Sequence, residues 1–434
     1  MGKHILYLYF GIVFLTGLAG CSSPVFLSRS QRYELEADRL AAMDRTSEAM
    51  LAYHQAAVAD PENHSARRKL IPLYQQQGRL READDLFREL PESERIGLNF
   101  IESQGEPQET TELKLQWINR EIHDIPAGFI ADDASIAVLY QSGQAALLRS
   151  STGQTIWVKS IPENITSPPA LTSDFVILGC GSGRVIALDR ATGEERWSAY
   201  LPGSVFARPL ADRDRIYTAS YGGKVTAFDR ASGKPLWQVN TGSAVPGTPL
   251  LSENRLYAGT TGGQIFSIDA TNGNALWEKP ARLTGSLEAS IILAPDFLLA
   301  AGTDSRLTAL DLNGRAYYWQ YSTSDSIYAN PLVARDLVFV FSIGQKAAAL
   351  AINTGLPLWE VDLPVPVRST PVFLEGNIYF AGVSGPYIFV MDSTGGNIHT
   401  RIDTGDWIEA GPQLVENILL LAGKDGAMIA YRLN

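Results

Sequence analysis

The sequence predicts a mainly β fold, an eight-bladed β-propeller preceded by a small α-helical segment, and three observations carry that prediction. The first is a ladder of tryptophans. Trp117, Trp157, Trp197, Trp237 and Trp277 are spaced 40 residues apart, Trp319 follows after 42 and Trp359 after another 40, with His399 expected on the next rung. A fixed period of about 40–45 residues with strand-like content is that of a propeller blade. The second is what lies between rungs. An x-Pro step (Pro169, Pro209, Pro249, Pro331, Pro371) leads into a β-branched run and a Gly turn, as at Ser182-Gly183 and Gly222-Gly223. A second run ends at Asp189, Asp229, Asp269 or Asp311, and a turn such as Thr192-Gly193 or Ser232-Gly233 precedes the Trp. Alternating runs broken by Gly, Asn and Asp are hairpin signals. The third observation is a matching deficit at the two ends. Leu113–Ile118 reads as a strand with a Trp but no blade before it, and the run ending at Asn434 lacks an outermost strand. Pairing the two closes the ring without a covalent link and removes its open edges.

The chain is organised in order as follows. Residues 1–20 read as a targeting segment: Lys3 supplies the positive end and Ile5 to Leu15 is apolar, broken only by Gly11. The run is short for a membrane-spanning helix and has the flanks of a signal peptide. Leu18-Ala19-Gly20-Cys21 resembles the lipobox of bacterial lipoproteins. That resemblance implies cleavage before Cys21 and acylation (palmitate included) of its thiol and new amine, an anchor of several chains. Ser22 follows where an Asp would retain such a protein at the inner membrane, so the implied address is the outer membrane, facing the periplasm.

Residues 21–29 form a tether. From 30 to 92 the composition turns to Ala, Glu, Arg, Leu and Gln, which favour helix. Ala49, Tyr53 and Ala56 recur as Ala83, Phe87 and Leu90 at an offset of 34, with Tyr74 and Gly78 also in place. This resembles about two tetratricopeptide repeats, although Tyr33, Glu36 and Ala37 replace the usual Trp-x-x-Leu-Gly start. Asp60-Pro61 closes one helix and Gln77-Gly78-Arg79 turns between two others. Residues 93–112, with Gln104-Gly105-Glu106-Pro107, read as a linker. Residues 113–434 are the propeller. Seven full intervals plus the shared blade give eight.

Composition narrows the function. The formal charge of −11 excludes the basic stripe of a nucleic-acid binder. Two cysteines, Cys21 and Cys180, give no disulfide framework. Cys180 stands between Gly179 and Gly181 and reads as a small buried strand residue. The histidines His4, His54, His64, His123 and His399 have no metal-ligand spacing. No nucleophile elbow, P-loop or His-Glu-x-x-His is present. The sequence therefore gives no catalytic residue, no cofactor and no metal. A Trp on an outer strand is expected to pack on the neighbouring blade while its indole N–H finds an acceptor. Trp117, Trp157, Trp197, Trp237, Trp277, Trp319 and Trp359 are thus structural.

Two runs, Ala187-Leu188-Asp189…Gly193…Trp197 and Ala227-Phe228-Asp229…Gly233…Trp237, resemble the tryptophan-docking repeat of pyrroloquinoline-quinone (PQQ)-type propellers. A quinone-dependent dehydrogenase is one function that repeat implies. Such enzymes carry a calcium site, a catalytic Asp, often an adjacent Cys pair and long roofing insertions, and here Cys180 has no neighbouring Cys. The segments Leu420–Gly426, Tyr431-Arg432, Ser369–Val372 and Leu307–Leu312, with the lipobox, resemble the BamB family of outer-membrane lipoproteins. That resemblance covers about residues 113–434. It implies a non-catalytic protein that docks on a BamA-like subunit and serves in outer-membrane β-barrel assembly. The family's partner-binding loop falls at Asn240–Gly247, which here is short and has neither Leu nor Arg. Its Asp pair falls around Leu283–Ala289, where only Glu288 is acidic. A third reading keeps the propeller and makes the helical segment the binding unit of a separate envelope scaffold.

Overall fold

A computed structural model describes residues 27–95, apart from 44–45, 61, 77–82, 84–85 and 89, and residues 113–433, apart from 383–384. Cys21, the targeting segment and most of the linker lie outside the described residues. The chain divides into two units, 1–103 and 104–434.

The first unit is helical: α1 (Arg29–Ala42), α2 (Thr46–Ala59) and α3 (His64–Gln76). Ser28 starts α1 through a capping box, accepting from the Gln31 N–H while the Gln31 side chain accepts from its own. Helix α2 ends at Ala59, just before Asp60. Small residues let the helices approach closely: Ala37, Ala49, Ala56 and Ala66 are fully buried among Tyr53, Leu70, Ile71 and Tyr74. A further helical turn, Glu92–Arg95, runs past residue 92, where composition alone ended the helical segment. Arg95 holds it by donating to the Leu90 carbonyl at 2.8 Å.

The second unit is eight four-stranded antiparallel sheets. The second blade shows the pattern: a short inner strand Ala170–Leu171, then Phe175–Gly179, Arg184–Asp189 and the outer strand Glu195–Tyr200. In chain order the blades span 126–160, 170–200, 210–240, 250–282, 292–322, 332–362 and 372–403. The eighth takes three strands from 408–433 and its outer strand from Leu113–Asn119. That strand pairs antiparallel with Met428–Leu433, Leu113 opposite Leu433 and Asn119 opposite Met428. The ring is therefore closed by the two ends of the unit.

No blade has a core of its own. The apolar residues form eight clusters, each shared by two neighbouring blades, the eighth and first included. The middle strands are buried on both sides, as Val185–Leu188 and Leu298–Ala301 show. A four-stranded sheet with two apolar faces is stable only when sandwiched, so stacking into a closed ring follows from the composition of the strands.

The tryptophans join blade to blade. Each of the seven ladder indoles donates its N–H to a carbonyl at the end of the next blade's third strand. Trp117 reaches Ser150 at 3.1 Å, Trp157 Arg190 at 2.8 Å, Trp197 Arg230 at 2.9 Å and Trp237 Ala270 at 3.0 Å. Trp277 reaches Leu312 at 3.1 Å, Trp319 Ile352 at 2.9 Å and Trp359 Ser393 at 3.0 Å. The ring then lies on the glycine of the following turn. Gly355, at φ 65°, is one such residue, and a Cβ there would sit 2.3 Å from the Trp319 ring. Both its backbone angle and the indole require glycine. One residue before the Trp, the outer strand carries a β-bulge in most blades, as at Arg196 of the second, where Ala187 pairs with Trp197 and Leu188 with Glu195. Bulges turn a strand and redirect the following side chain.

Two expectations from the spacing are corrected. Thr400, not His399, occupies the Trp position of the seventh blade: Val390 pairs with Thr400 as Ala349 pairs with Trp359 in the sixth. The chain between Ala381 and Ile388 is one residue longer than between Phe341 and Ala347 of the sixth blade, so counting by 40 lands on the bulge. His399 is exposed and bonds within its own blade, to Asn377 at 3.0 Å and Thr400 at 2.9 Å. The neighbouring eighth blade has no covalent turn between its third and outer strands, hence no turn glycine for an indole to cover. The second correction concerns the fourth blade, whose outer strand is reduced to Ala281–Arg282. The interval of 42 reflects two extra residues after Trp277, and Pro280 has no N–H for the ladder. Trp277 still reaches its acceptor.

Turn carboxylates and arginines reinforce the turns. Asp189 accepts from the Ala191 and Thr192 N–H groups at 3.0 and 2.9 Å and from Arg196 at 2.7 Å. Arg196 first, and then the Thr192 N–H, hold its pKa down at about 2. Asp229 and Asp269 are lowered likewise, by Ser232 and by the Thr271 N–H. A carboxylate depressed by folding stabilises the protein above its unfolded pKa, near 4, and that contribution is lost as pH falls through the folded value. Thermal melts of the wild type between pH 5 and pH 2 should therefore decline, and Asp189→Asn should decline less steeply. Equal slopes would contradict the assignment. Arg190 also bonds back to Asp132 of the first blade at 2.7 Å, and Arg230 to Asp174 of the second at 2.8 Å.

Candidate functional site

Each outer strand returns to the next inner strand by a connection on one face of the ring, the face that also carries the turns between second and third strands. Connections 161–169, 201–209, 241–249, 283–291, 323–331, 363–371 and 404–412 share one plan. Their fifth residue is apolar and buried: Ile165, Val205, Val245, Leu287, Ile327, Val367 and Ile408. It anchors the loop between blades. The seventh is small, as Ser167, Ala207, Ala289 and Ala329, because it too is buried.

The sixth residue, between those two anchors, is presented to solvent and is free to vary. It is Thr166, Phe206, Pro246, Glu288, Tyr328, Arg368 and Glu409 around the ring. Phe206 is 43% exposed, and its ring lies 4.8 Å from that of Tyr221, itself 46% exposed, from a turn of the same face, the two tilted by 58°. Arg368 lies over the Tyr328 ring at 5.0 Å. Glu288 accepts from Ser286 at 2.7 Å, and its charge, after burial, raises the Tyr221 pKa. Both segments where the resemblance implied partner contacts, 240–247 and 283–289, lie on this face.

Trp407 stands on the same face. It is the eighth tryptophan of the chain, off the ladder, 52% exposed, with the Lys424 ammonium 5.5 Å from its ring. Beside it lie the carboxyls of Asp406 and Asp425. Burial, and then the neighbouring Asp425 carboxyl, push the Asp406 carboxyl above its ordinary range, as expected of two close carboxylates. The displaced outer strand of the fourth blade leaves a cleft of about 190 Å³ at the rim, lined by Arg282, Asp304, Arg306 and Tyr317. Exposed aromatic and arginine side chains are the residue types on which protein interfaces concentrate their energy. This face can offer ring stacking, cation–π contacts and charge of both signs.

Sequence reasoning named no residue of this face as a site. Trp407 alone carried a legible signal, since it breaks the 40-residue spacing. Of the residues singled out beforehand, Cys21 is outside the described residues, and the seven ladder tryptophans sit at blade junctions. Cys180 is fully buried at a hairpin, its thiol pushed up to about 12 by burial first and then by Glu163. Among the described residues, no three His, Cys, Asp or Glu side chains are grouped to hold a metal ion, and no helix is long and apolar enough to cross a membrane.

Comparison with known proteins gives the following. The family model described as outer membrane protein assembly factor BamB matches residues 141–295, 182–332 and 303–432. No curated protein sequence matches. Among solved structures, BamB from Moraxella catarrhalis superposes with a TM-score of 0.66 at 21% identity, covering 74% of this chain and 98% of that one. The computationally designed Ika8 protein gives 0.64 at 15% identity, covering 74% and 100%. The quinohemoprotein alcohol dehydrogenase of Comamonas testosteroni gives 0.61 at 14% identity, covering 74% and 76%. At these identities the likenesses establish a shared fold.

Proposed function

We propose that this chain, which belongs to the family of the outer membrane protein assembly factor BamB, is a non-catalytic, lipid-anchored scaffold of outer-membrane β-barrel assembly. In this reading acyl chains on Cys21 hold it at the outer membrane, facing the periplasm, and the loop face docks on a BamA-like barrel-inserting subunit. The observation that carries the reading is the family match, which spans almost every blade and therefore every connection of that face. The exposed aromatics support it: Phe206, Tyr221 and Trp407 pack no core and have solvent-facing rings.

A second reading is favoured by one fact: the family match begins at residue 141, so the helical unit, with its own core, lies outside it. That unit would then recruit a different envelope complex. One experiment separates the readings. Tagged wild-type protein is extracted from membranes in mild detergent and its partners are identified, beside Cys21→Ser, a deletion of 30–92, and the triple variant Phe206→Ala, Tyr221→Ala, Trp407→Ala. Assembly function predicts recovery of the BamA-like subunit, loss of membrane association in Cys21→Ser, and at least a roughly tenfold fall in recovery for the triple variant. Recovery of another complex that vanishes with 30–92 would favour the second reading. Oxidation of alcohols with added quinone, calcium and dye would overturn both.

A further inference from the structure

The connections of the loop face end in a residue that in most blades immediately precedes a Pro and that faces the axis of the ring. Around the ring this residue is Gly128, Pro168, Arg208, Thr248, Ser290, Asn330, Thr370 and Gly411. All are short but one. Arg208, in the third blade, is fixed from both sides. Pro209 follows it, Ala207 before it is buried, and its N–H donates to Thr248 at 3.2 Å. Its guanidinium reaches the Phe129 carbonyl of the first blade, passing the second blade altogether. A side chain that spans two blades at their inner strands crosses the axial channel.

Inside the channel the charge is left without an answer. The bond to Phe129 is long, 3.4 Å, because Gln413 of the eighth blade already donates to the same carbonyl at 2.7 Å. A guanidinium has five N–H donors. Among the described residues Arg208 has no other side-chain hydrogen bond and no carboxylate partner within 4.0 Å. Burial lowers its pKa, with no neighbouring charge acting on it. The rest of the ring adds donors. Thr248 accepts the Arg208 N–H, Ser290 the Thr248 N–H at 3.2 Å, and Asn330 the Ser290 N–H at 2.8 Å. The Thr248 and Ser290 hydroxyl hydrogens and the Asn330 amide NH2 therefore remain to be donated. Gly128 and Gly411, beside Phe129 and Gln413, contribute no side chain at this level, so neither brings a counter-charge to the cation.

An enclosed cation among unused donors is the complement of an anion. We propose that the axial channel binds a small oxyanion, a carboxylate or a phosphate, on the Arg208 guanidinium. The site is separate from the exposed side chains of the loop face and does not depend on the partner named above.

Thermal melts of the full protein test it, with phosphate or acetate against chloride at matched ionic strength. A ligand of the folded state raises the melting temperature in a saturable way. Wild type should rise by a few degrees with at least one oxyanion, Arg208→Gln should not rise, and Arg208→Lys should rise less, because an ammonium cannot grip two oxygens at once. Phosphate and acetate arms tell the two oxyanion types apart. No rise in wild type, or an equal rise in Arg208→Gln, overturns the proposal. Should Arg208→Gln fail to fold, calorimetric titration of wild type decides. One saturable site per chain for phosphate or acetate supports the channel site, and neither titrating overturns it.

Discussion

Trp237→Ala is expected to lower the stability of the propeller by about 3–5 kcal/mol, the usual cost of removing a large ring packed into a core, here the partly buried indole against the cluster of the third and fourth blades. In a domain of this size that is a fall in melting temperature on the order of 10 °C. Three contacts go at once: the 3.0 Å bond to the Ala270 carbonyl, the cover over Gly273 and the ring contact with Tyr217 at 5.9 Å. The Ala270 carbonyl keeps only the Tyr217 hydroxyl, at 3.2 Å, as a side-chain donor at the blade junction. Trp407→Ala is the control. Its ring is exposed and off the ladder, so its melt should stay within about 0.5 kcal/mol of wild type. Differential scanning calorimetry of the two variants side by side is the measurement. Equal shifts would mean that the ladder indoles have no special part in joining blades.

Deleting Leu113–Asn119 from the full chain should cost more, on the order of 5 kcal/mol or above, since it removes a ladder Trp together with a whole strand. The lost strand carries Trp117, whose indole reaches the first blade, and Leu113, which packs against the cluster of the seventh and eighth blades. It also bares Met428–Leu433, whose pairing it completes. An unpaired edge of that kind templates aggregation. A lower urea midpoint together with a rise in light scattering is the expected result. An unchanged midpoint would show that three strands suffice for the eighth blade.

The propeller was readable in the chain because its joints depend on particular residue types. A turn with positive φ under an indole takes only glycine, an N–H pair at the turn takes Asp, and the junction takes Trp, so the three recur at fixed offsets. Where the chain departs from the period, counting misleads. One residue added between Ala381 and Ile388 moved the rung from His399 to Thr400, and the two residues added around Pro280 removed most of an outer strand. The loop face was hidden for the opposite reason. Its sixth position is at least partly open to solvent in every connection, so the fold constrains it little, and Phe206, Glu288 and Arg368 share no chemistry that a repeat could reveal. Arg208 was hidden differently. Its meaning rests on which carbonyl it reaches two blades away, a matter of curvature that spacing does not carry.

The pairing of Leu113 with Leu433 sets an order of events in time. Blades one to seven are each made of contiguous chain, so each can pack on the blade before it as soon as its residues emerge from the ribosome or a translocation pore. The strand that finishes the eighth is among the first produced and waits for the last, as with Arg120 and Asp425, 305 residues apart and 3.4 Å from each other. Joining such distant ends costs entropy that grows only slowly with chain length, but it falls in a single late step. Until that step, the newborn protein is an open spiral with two adhesive rims, and whatever shields those rims governs how much of it reaches the finished state.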